Sequence, residues 1–221
     1  MIVLVFGLKV LILSLGFDER FAIRSILRTG LSRGDKVLIF TAEPIVDKAE
    51  KALKIILEFL KKYFEGVECE VISIPTKDFE QSISIIGEQL MNLKKLGQDI
   101  ILNLSGGMRS LIIELIIASI LVGLKGIVEV ELENLEGYLN FPIDILKMRT
   151  PLKEEYKSIL NAIIEAGEIN LSQLSRKVAM AKSTTHKIVK KMIEEGLIEY
   201  EKIGKEYRLK AKTIAKLLTK I

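Results

Sequence analysis

The segment from residue 99 to residue 124 constrains the fold more than any other part of the chain. An apolar run over residues 100–104 ends in Ser105-Gly106-Gly107-Met108-Arg109, and a long apolar segment with helical spacing follows at once. A strand that turns through two glycines into a helix leaves free N–H groups at the start of that helix, where the helix dipole also favours an anion. Arg109 adds a planar cation suited to phosphate. The segment therefore predicts a site for a phosphorylated ligand.

The first 150 residues alternate between strand and helix patterns. Strands are predicted at residues 2–15, 36–41, 67–74, 99–104, 127–132 and 137–148, and helices at residues 20–31, 45–64, 80–96 and 110–124. This alternation favours an α/β fold, with a Rossmann-like, mostly parallel sheet and helices on both faces. Strands 1 and 4 are neighbours in that order, and ligands bind beside their carboxyl ends. We therefore expect the turns at residues 14–18 and 105–109 to converge.

The apolar start of the chain is interpreted as a buried strand. Residues 1–15 are too short to span a bilayer, include Lys9 and lack a cleavage pattern, so we expect a cytoplasmic protein with no membrane partner. The single cysteine, Cys69, fits a reducing compartment, and the absence of a histidine cluster or CxxC argues against a metal site. The abundance of Ile, Leu, Lys and Glu, without Trp, follows the trend of thermophile proteins.

Charge is distributed unevenly along the chain. Residues 1–150 carry 18 Lys and Arg against 20 Asp and Glu, a net charge of −2, whereas residues 151–221 carry 15 against 9, a net charge of +6. The two values add to the overall +4. A basic segment behind a nearly neutral one predicts a polyanionic partner for the C-terminal part.

The pattern becomes helical after Pro151. Helices are predicted at residues 153–166, 171–178 (with Ser172 as a cap) and 182–195, then strands at 196–200 and 206–210 around a turn, and a last helix from residue 212. This is the order of a winged helix-turn-helix. The predicted domains are a sensor at residues 1–148, a linker at 149–152 and a DNA-binding domain at 153–221.

The third helix of this domain has the composition of a recognition helix. Helical spacing puts its apolar and small residues on one face, the core side: Thr185, Ile188, Val189 and Met192. Lysines on its polar side would hold phosphates, and its small or aromatic polar side chains would reach base edges. The alternative is a solvated helix in a protein-interaction domain. The DNA-binding residues that we predict are Lys182, Ser183, Thr184, His186, Lys187, Lys190 and Lys191 on the helix, with Lys205 and Arg208 on the wing.

Known nucleotide and catalytic motifs are absent from the first domain. The chain contains neither GxxxxGK[ST] nor GxGxxG, and its single histidine lies in the C-terminal domain. No catalytic residue and no cofactor are therefore predicted. One enzymatic alternative remains, in which Ser14, Ser105 and Arg109 align a 2′-hydroxyl for slow in-line attack on a phosphodiester. A plain tight turn without a ligand is the simplest alternative for the SGGMR segment.

Two turn sequences, LSLGFDER after strand 1 and NLSGGMR after strand 4, followed by a winged helix, resemble the archaeal CRISPR-associated transcriptional regulators. These proteins carry a CRISPR-associated Rossmann-fold (CARF) sensor domain. The resemblance implies a homodimer whose sensor domains bind cyclic oligoadenylate, chiefly the four-membered ring, across the dimer axis. The ligand-binding residues that it implies are Ser14, Leu15, Gly16, Phe17 and Asp18, Thr41 in the loop after strand 2 (residues 41–44), and Asn103, Ser105, Gly106, Gly107, Met108 and Arg109.

The sequence thus leads to one main hypothesis and two alternatives. The main hypothesis is a dimeric regulator of CRISPR genes in which ligand changes the angle between protomers and so the affinity for a palindromic promoter site. The nearly uncharged helix after the SGGMR turn is expected to pack across the two-fold axis. The alternatives are a ring nuclease that cleaves the cyclic ligand and a regulator that senses another phosphorylated nucleotide.

Overall fold

The computed structural model describes residues 8–95, 99–147, 152–203 and 206–220. The chain divides into two units, Met1–Lys147 and Met148–Ile221, and each has its own apolar core. Of the linker predicted at residues 149–152, only Leu152 lies within the described part.

The first unit is built on six strands and four α-helices within the described residues. In chain order they are β1 (Lys9–Ser14), α1 (Glu19–Thr29), β2 (Lys36–Ala42), α2 (Asp47–Tyr63), β3 (Glu68–Ile74), α3 (Phe79–Lys95), β4 (Asp99–Asn103), α4 (Arg109–Val122), β5 (Ile127–Glu131) and β6 (Tyr138–Pro142). The strand order in the sheet is β3-β2-β1-β4-β5-β6, and only β6 runs antiparallel to its neighbour. The predicted Rossmann-like, mostly parallel sheet is confirmed.

Both faces of the central strand are buried. Val10 and Ile12 of β1 belong to the core under α3 and α4, whereas Leu11 and Leu13 belong to the core under α1 and α2. Because successive residues of a strand point to opposite faces, a strand covered on both sides is an unbroken apolar run, as β1 is. β1 pairs with β4 in parallel, with Leu13 opposite Asn103, so the loops that follow both strands leave the same edge of the sheet.

The predicted last strand of the first unit is too long. An extended segment was expected over residues 137–148, but β6 ends at Pro142 and a 3₁₀-helix, Ile143–Lys147, follows. Proline has no N–H to continue a ladder. The N–H of Ile143 instead donates to the carbonyl of Gly126 at 2.9 Å, and its side chain is fully buried. The part of the first predicted strand before residue 8 lies outside the described residues.

The second unit is a helix-turn-helix followed by a β-hairpin wing. Its elements are α5 (Glu154–Ala166), β7 (Ile169–Asn170), α6 (Leu171–Lys177), α7 (Lys182–Glu194), β8 (Ile198–Ile203), β9 (Glu206–Ala211) and α8 (Thr213–Leu218). The strand order is β7-β9-β8, and the short β7 was not predicted. Ser172 is not the cap of α6. Asn170 caps it, accepting from the N–H of Gln173 in a capping box that closes the same turn.

No helix among the described residues is long and apolar enough to cross a membrane.

Candidate functional site

The loops after β1 and β4 meet backbone to backbone. A Cβ atom on Gly16 would lie 2.7 Å from the backbone nitrogen of Gly107, and one on Gly106 would lie 3.0 Å from the nitrogen of Gly16. Gly107 also has a φ of +98°, which L side chains rarely adopt. Glycine is therefore required at all three positions, and the two sequence turns form one structure as predicted from the strand order.

Two serines in these loops have different roles. The Ser14 hydroxyl is buried and donates to the carbonyl oxygen of Gly106 at 2.5 Å, so its single hydrogen joins the two loops. The Ser105 hydroxyl instead accepts from the backbone N–H of Glu131 at 2.8 Å. Because a hydroxyl has one hydrogen and two lone pairs, Ser105 keeps its hydrogen for another acceptor. Ser105 can thus donate to an anion, whereas Ser14 holds the loop geometry.

Asn103 presents an unused donor at the same place. Its Oδ1 accepts from the N–H of Ser105 at 3.1 Å, while its buried Nδ2 has no hydrogen-bond partner in the described part of the chain. Asn103, Ser14 and Gly106 line a small cavity of about 10 Å³. This is close to the volume that one water requires. Since a buried unpaired amide costs free energy, a water or a ligand acceptor at this point would be stabilising.

The first loop carries a carboxylate that is already neutralised. Asp18 caps α1 by accepting from the N–H of Arg20, and its carboxylate pairs with the Arg20 guanidinium at 2.6 Å. This hydrogen bond holds the pKa of Asp18 below its usual value. Beside it Phe17 is 62% exposed, an apolar side chain with most of its surface in solvent. The loop therefore offers a flat apolar surface next to a compensated charge.

The second loop leads into a helix with an open N-terminus. Arg109 is the first residue of α4, is exposed, and has no partner among the residues that the structure describes. Met108 at the N-cap position makes no side-chain capping bond and is half exposed. The first N–H groups of α4 and the helix dipole favour an anion at this end of the helix, and the exposed Arg109 guanidinium is a group suited to phosphate.

Leu15 and Thr41 are placed differently from the other predicted ligand residues. Both side chains are buried, and the N–H of Leu15 donates to the carbonyl of Phe40 at 2.8 Å. Thr41 lies within β2, where its hydroxyl is 3.4 Å from the carbonyl of Ala42. These residues connect the first loop to β2 and do not present polar groups to solvent.

A buried network of ion pairs, which was not predicted from the sequence, connects α1 to β5, the strand that holds Ser105 of the second loop. Glu131, with a fully buried side chain, pairs with Arg24 at 2.6 Å and with Arg28 at 3.0 Å. Glu129 pairs with Arg28 at 2.9 Å. These four residues, called here the α1–β5 charge network, tie α1 to the strand whose N–H holds Ser105. Two acidic residues alternating in the apolar strand IVEVE, with arginines four residues apart on α1, were the available signal.

The described residues include no group of three or more His, Cys, Asp or Glu side chains arranged to hold a metal ion.

The predicted DNA-binding helix presents its polar side chains to solvent. Thr185, Val189 and Met192 of α7 are buried in the core of the second unit, and Ile188 is partly buried against it, as the helical spacing predicted. All seven predicted residues of the helix are exposed and have no ion-pair partner within the described residues: Lys182, Ser183, Thr184, His186, Lys187, Lys190 and Lys191. The face is therefore basic and free to meet a polyanion.

The wing residues are divided between two faces of the hairpin. Tyr207 and Leu209 of β9 line a groove against α7, so alternation puts exposed Arg208 on the opposite face. Lys202 of β8 lies opposite Tyr207 in the β8–β9 ladder, so its side chain is on the same face of the hairpin as Tyr207, the face towards α7. Lys205 falls outside the described residues. Arg208 is thus not brought together with the predicted residues of α7.

Comparison with known proteins gives two family matches. Residues 9–142 match the model of the Csa3 CRISPR-associated Rossmann-like domain, and residues 157–199 match that of a winged helix-turn-helix DNA-binding domain. A search of curated proteins found no match.

Several solved structures are similar at low identity. Can2 from Sulfobacillus thermosulfidooxidans, in complex with cyclic tetra-adenylate, is 7% identical with a TM-score of 0.44, covering 96% of this chain and 63% of that one. Enterococcus italicus Csm6, bound to cyclic hexa-2′-fluoro-hexa-dAMP, is 15% identical with a TM-score of 0.44, covering 86% and 55%. Oxidized MarR from E. coli is 13% identical with a TM-score of 0.30, covering 31% and 51%. The chain spans about half the length of Bordetella bronchiseptica BpsR, of MarR from E. coli and of a MarR family protein from Bacillus stearothermophilus, which it matches.

The first family model covers more than half of the chain and includes both glycine loops, and the second includes all of α7. A Rossmann-like domain joined to a winged helix-turn-helix is the architecture of a transcription regulator. The chain therefore belongs to the family with the Csa3 CRISPR-associated Rossmann-like domain, followed here by a winged helix-turn-helix.

Proposed function

We propose that the protein is a homodimeric transcription regulator of CRISPR genes that binds cyclic oligoadenylate, chiefly cyclic tetra-adenylate, at the loops after β1 and β4 and promoter DNA through α7. The observation that carries the ligand part is the set of unused donors on those loops: the free Arg109 guanidinium, the Ser105 hydroxyl and the buried, unpartnered Nδ2 of Asn103. Phosphates accept from such groups, and exposed Phe17 offers a stacking surface for a base.

The dimer part is supported by the surface of α4. Ile113 is 54% exposed and Leu121 is 70% exposed on a helix whose only charged residues are Arg109 and the buried Glu114. Large apolar side chains in solvent on one helix favour burial against a second copy. A two-fold axis near α4 would bring two copies of the Gly106-Gly107 turn to one symmetric ring of phosphates. Leu121→Lys should shift the mass measured by light scattering from dimer to monomer.

Calorimetric titration with cyclic tetra-adenylate tests ligand binding. We expect saturable binding that Arg109→Ala weakens at least about tenfold, the loss of one charge-assisted hydrogen-bonding group. The thermal midpoint should stay unchanged because Arg109 has no partner among the described residues. Lys125→Ala, at an exposed cation after α4, is the matched control. Wild-type affinity in Arg109→Ala, or binding only to another nucleotide in a panel, would contradict the ligand assignment.

Incubating the protein with cyclic tetra-adenylate and analysing the products separates a regulator from an enzyme. We expect the cyclic ligand to remain intact, since among the described loop residues we identify no strong general base beside Ser105 and Arg109. Linear products that disappear with Ser105→Ala would instead identify a ring nuclease.

A further inference from the structure

The second unit contains a groove whose tyrosine wall, on the hairpin side, has no part in the proposed function. It has a volume of about 560 Å³ and is lined by α7, by the hairpin formed by β8 and β9, and by residues 170–172 at the start of α6. This is within the range of sites that hold small molecules, about 300–1,000 Å³. The groove is formed within a single unit and does not depend on the position of the sensor.

Apolar and aromatic side chains form most of the groove. Val189 and Ile193 of α7 and Leu209 of β9 contribute aliphatic surface. Tyr200 and Tyr207 form the wall on the hairpin side, with ring centroids 5.6 Å apart and an interplanar angle of 70°. Both rings are more than half exposed, at 56% and 53%. Two aromatic rings beside an aliphatic floor favour a flat apolar group as the occupant.

Cations stand along the opposite wall. Lys182, His186 and Lys190 are spaced four residues apart, so they lie along one side of α7 and face the two tyrosines across the groove. None of them has a hydrogen-bond or ion-pair partner within the described part of the chain. Two free ammonium groups with the imidazole between them provide charge complementarity for an anion.

The aliphatic side chains at the bottom of the groove determine which class of anion can bind there. A DNA backbone strand in this groove would place phosphates over Val189, Ile193 and Leu209, which offer no hydrogen bond. An aromatic ring that carries one carboxylate would cover the apolar floor and put its charge at the lysines. The outward-facing residues of α7, such as Ser183 and Lys187, do not line the groove and remain free for DNA.

We propose that this groove binds a small aromatic carboxylate, with its ring against Tyr200 and Tyr207 and its charge at Lys182 and Lys190. The occupied groove uses cations that the proposed DNA interface also uses, so the carboxylate competes with DNA. The binding step is independent of the proposed function, and only the competition rests on it.

Calorimetric titration of the full chain with naphthalene-2-carboxylate tests the binding step. We expect saturable binding, at least about tenfold weaker binding for the neutral naphthalene-2-carboxamide, and a similar loss in Tyr200→Ala. Tyr207→Ala repeats the test from the neighbouring strand if Tyr200→Ala lowers the thermal midpoint. Tyr63→Ala, at an exposed tyrosine of the first unit, is the matched control and should bind as wild type does. Absence of saturable binding, or binding that both tyrosine variants retain, would overturn the proposal.

A second comparison separates this site from the DNA interface. Lys187→Ala should weaken DNA binding and leave the probe's affinity unchanged, whereas Tyr200→Ala should do the reverse. If Tyr200→Ala weakens DNA binding as much as Lys187→Ala does, the groove belongs to DNA and the proposal is wrong. If the probe binds and requires Tyr200 but the chain binds no promoter DNA, the carboxylate site in the groove is supported and the proposed function is wrong.

Discussion

The two candidate binding regions of this protein are built on opposite principles. At the loops after β1 and β4 the geometry is set by backbone: Gly16 and Gly106 are in contact, and the Ser14 hydroxyl joins the loops. On α7 the basic face is a row of long side chains without partners in the described chain. A site fixed by backbone contact suits one ligand shape, whereas unpaired cations on a helix adapt to a polyanion. We therefore predict that single substitutions in the loops strongly lower stability and ligand affinity, whereas single substitutions on α7 weaken DNA binding only mildly.

The largest expected effect is that of Gly16→Ala. The new Cβ would lie 2.7 Å from the backbone nitrogen of Gly107, so the loops must separate. We expect the free energy of unfolding to fall by about 1–3 kcal/mol and ligand affinity to fall about a hundredfold.

The control for this change is Gly87→Ala in α3, where the nearest heavy atom would be 4.0 Å from the added Cβ. That variant should be stabilised by about 0.5–1 kcal/mol. Denaturant unfolding and calorimetry measure both variants. If Gly16→Ala and Gly87→Ala behave alike, backbone contact does not define the ligand site.

The next effect is that of Glu131→Gln in the α1–β5 charge network. The side chain is fully buried between Arg24 and Arg28, whose own side chains are 44% and 21% exposed. Because solvent screens the two arginines, we expect a loss of about 2 kcal/mol, less than for a wholly buried pair. Glu133→Gln, at an exposed residue, should leave the unfolding midpoint unchanged. Equal midpoints for the two variants would mean that the network does not stabilise the loops.

Lys187→Ala should have a smaller and different effect. Removing one phosphate contact should weaken DNA binding about fivefold and reduce the slope of log K against log salt by about 0.9. The unfolding midpoint should not change, since Lys187 has no partner among the described residues. Fluorescence anisotropy at several salt concentrations measures the slope, with Lys216→Ala on α8 as control. An unchanged slope would remove Lys187 from the interface.

The smallest expected effect is on the stability that the Asp18–Arg20 ion pair contributes, which depends on pH. The hydrogen bond from Arg20 lowers the pKa of Asp18 in the folded protein. The pair therefore stabilises the fold fully above the pKa of Asp18 in the unfolded chain. This stabilisation is lost as the pH falls through the pKa of Asp18 in the folded protein. Asp18→Asn keeps a capping side chain but removes the charge. The stability difference between wild type and variant should be under about 1 kcal/mol at pH 7 and shrink below about pH 4. A difference that grows with acidity would contradict this account.

The fold was predictable because its signals are local and repeated. The apolar run of β1 and the alternation of strand and helix were sufficient to predict a mostly parallel sheet with strands 1 and 4 as neighbours, and with it the convergence of the two glycine turns. The helical spacing of Thr185, Val189 and Met192 was sufficient to predict the buried side of α7. Strand ends were less predictable, since Pro142 ends β6 through a missing N–H and not through a change in hydropathy.

The side-chain partners could not be predicted in the same way. Glu131 meets Arg24 and Arg28 across more than a hundred residues of sequence, a pairing that only the sheet order creates. The contrast between Ser14 and Ser105 depends on which neighbour each hydroxyl meets, and local sequence does not contain that information. The orientation of Arg208 away from α7 follows from the register of β9.

The most direct test of the account measures promoter DNA affinity with and without saturating cyclic tetra-adenylate, in wild type and in Arg109→Ala. We predict that the ligand changes the DNA affinity of wild type by about fivefold or more, for a typical coupling free energy, and that the same ligand concentration leaves the DNA affinity of Arg109→Ala unchanged. Equal DNA affinities in wild type with and without ligand, while calorimetry shows the ligand bound, would contradict the central claim that the paired glycine loops control the DNA-binding unit.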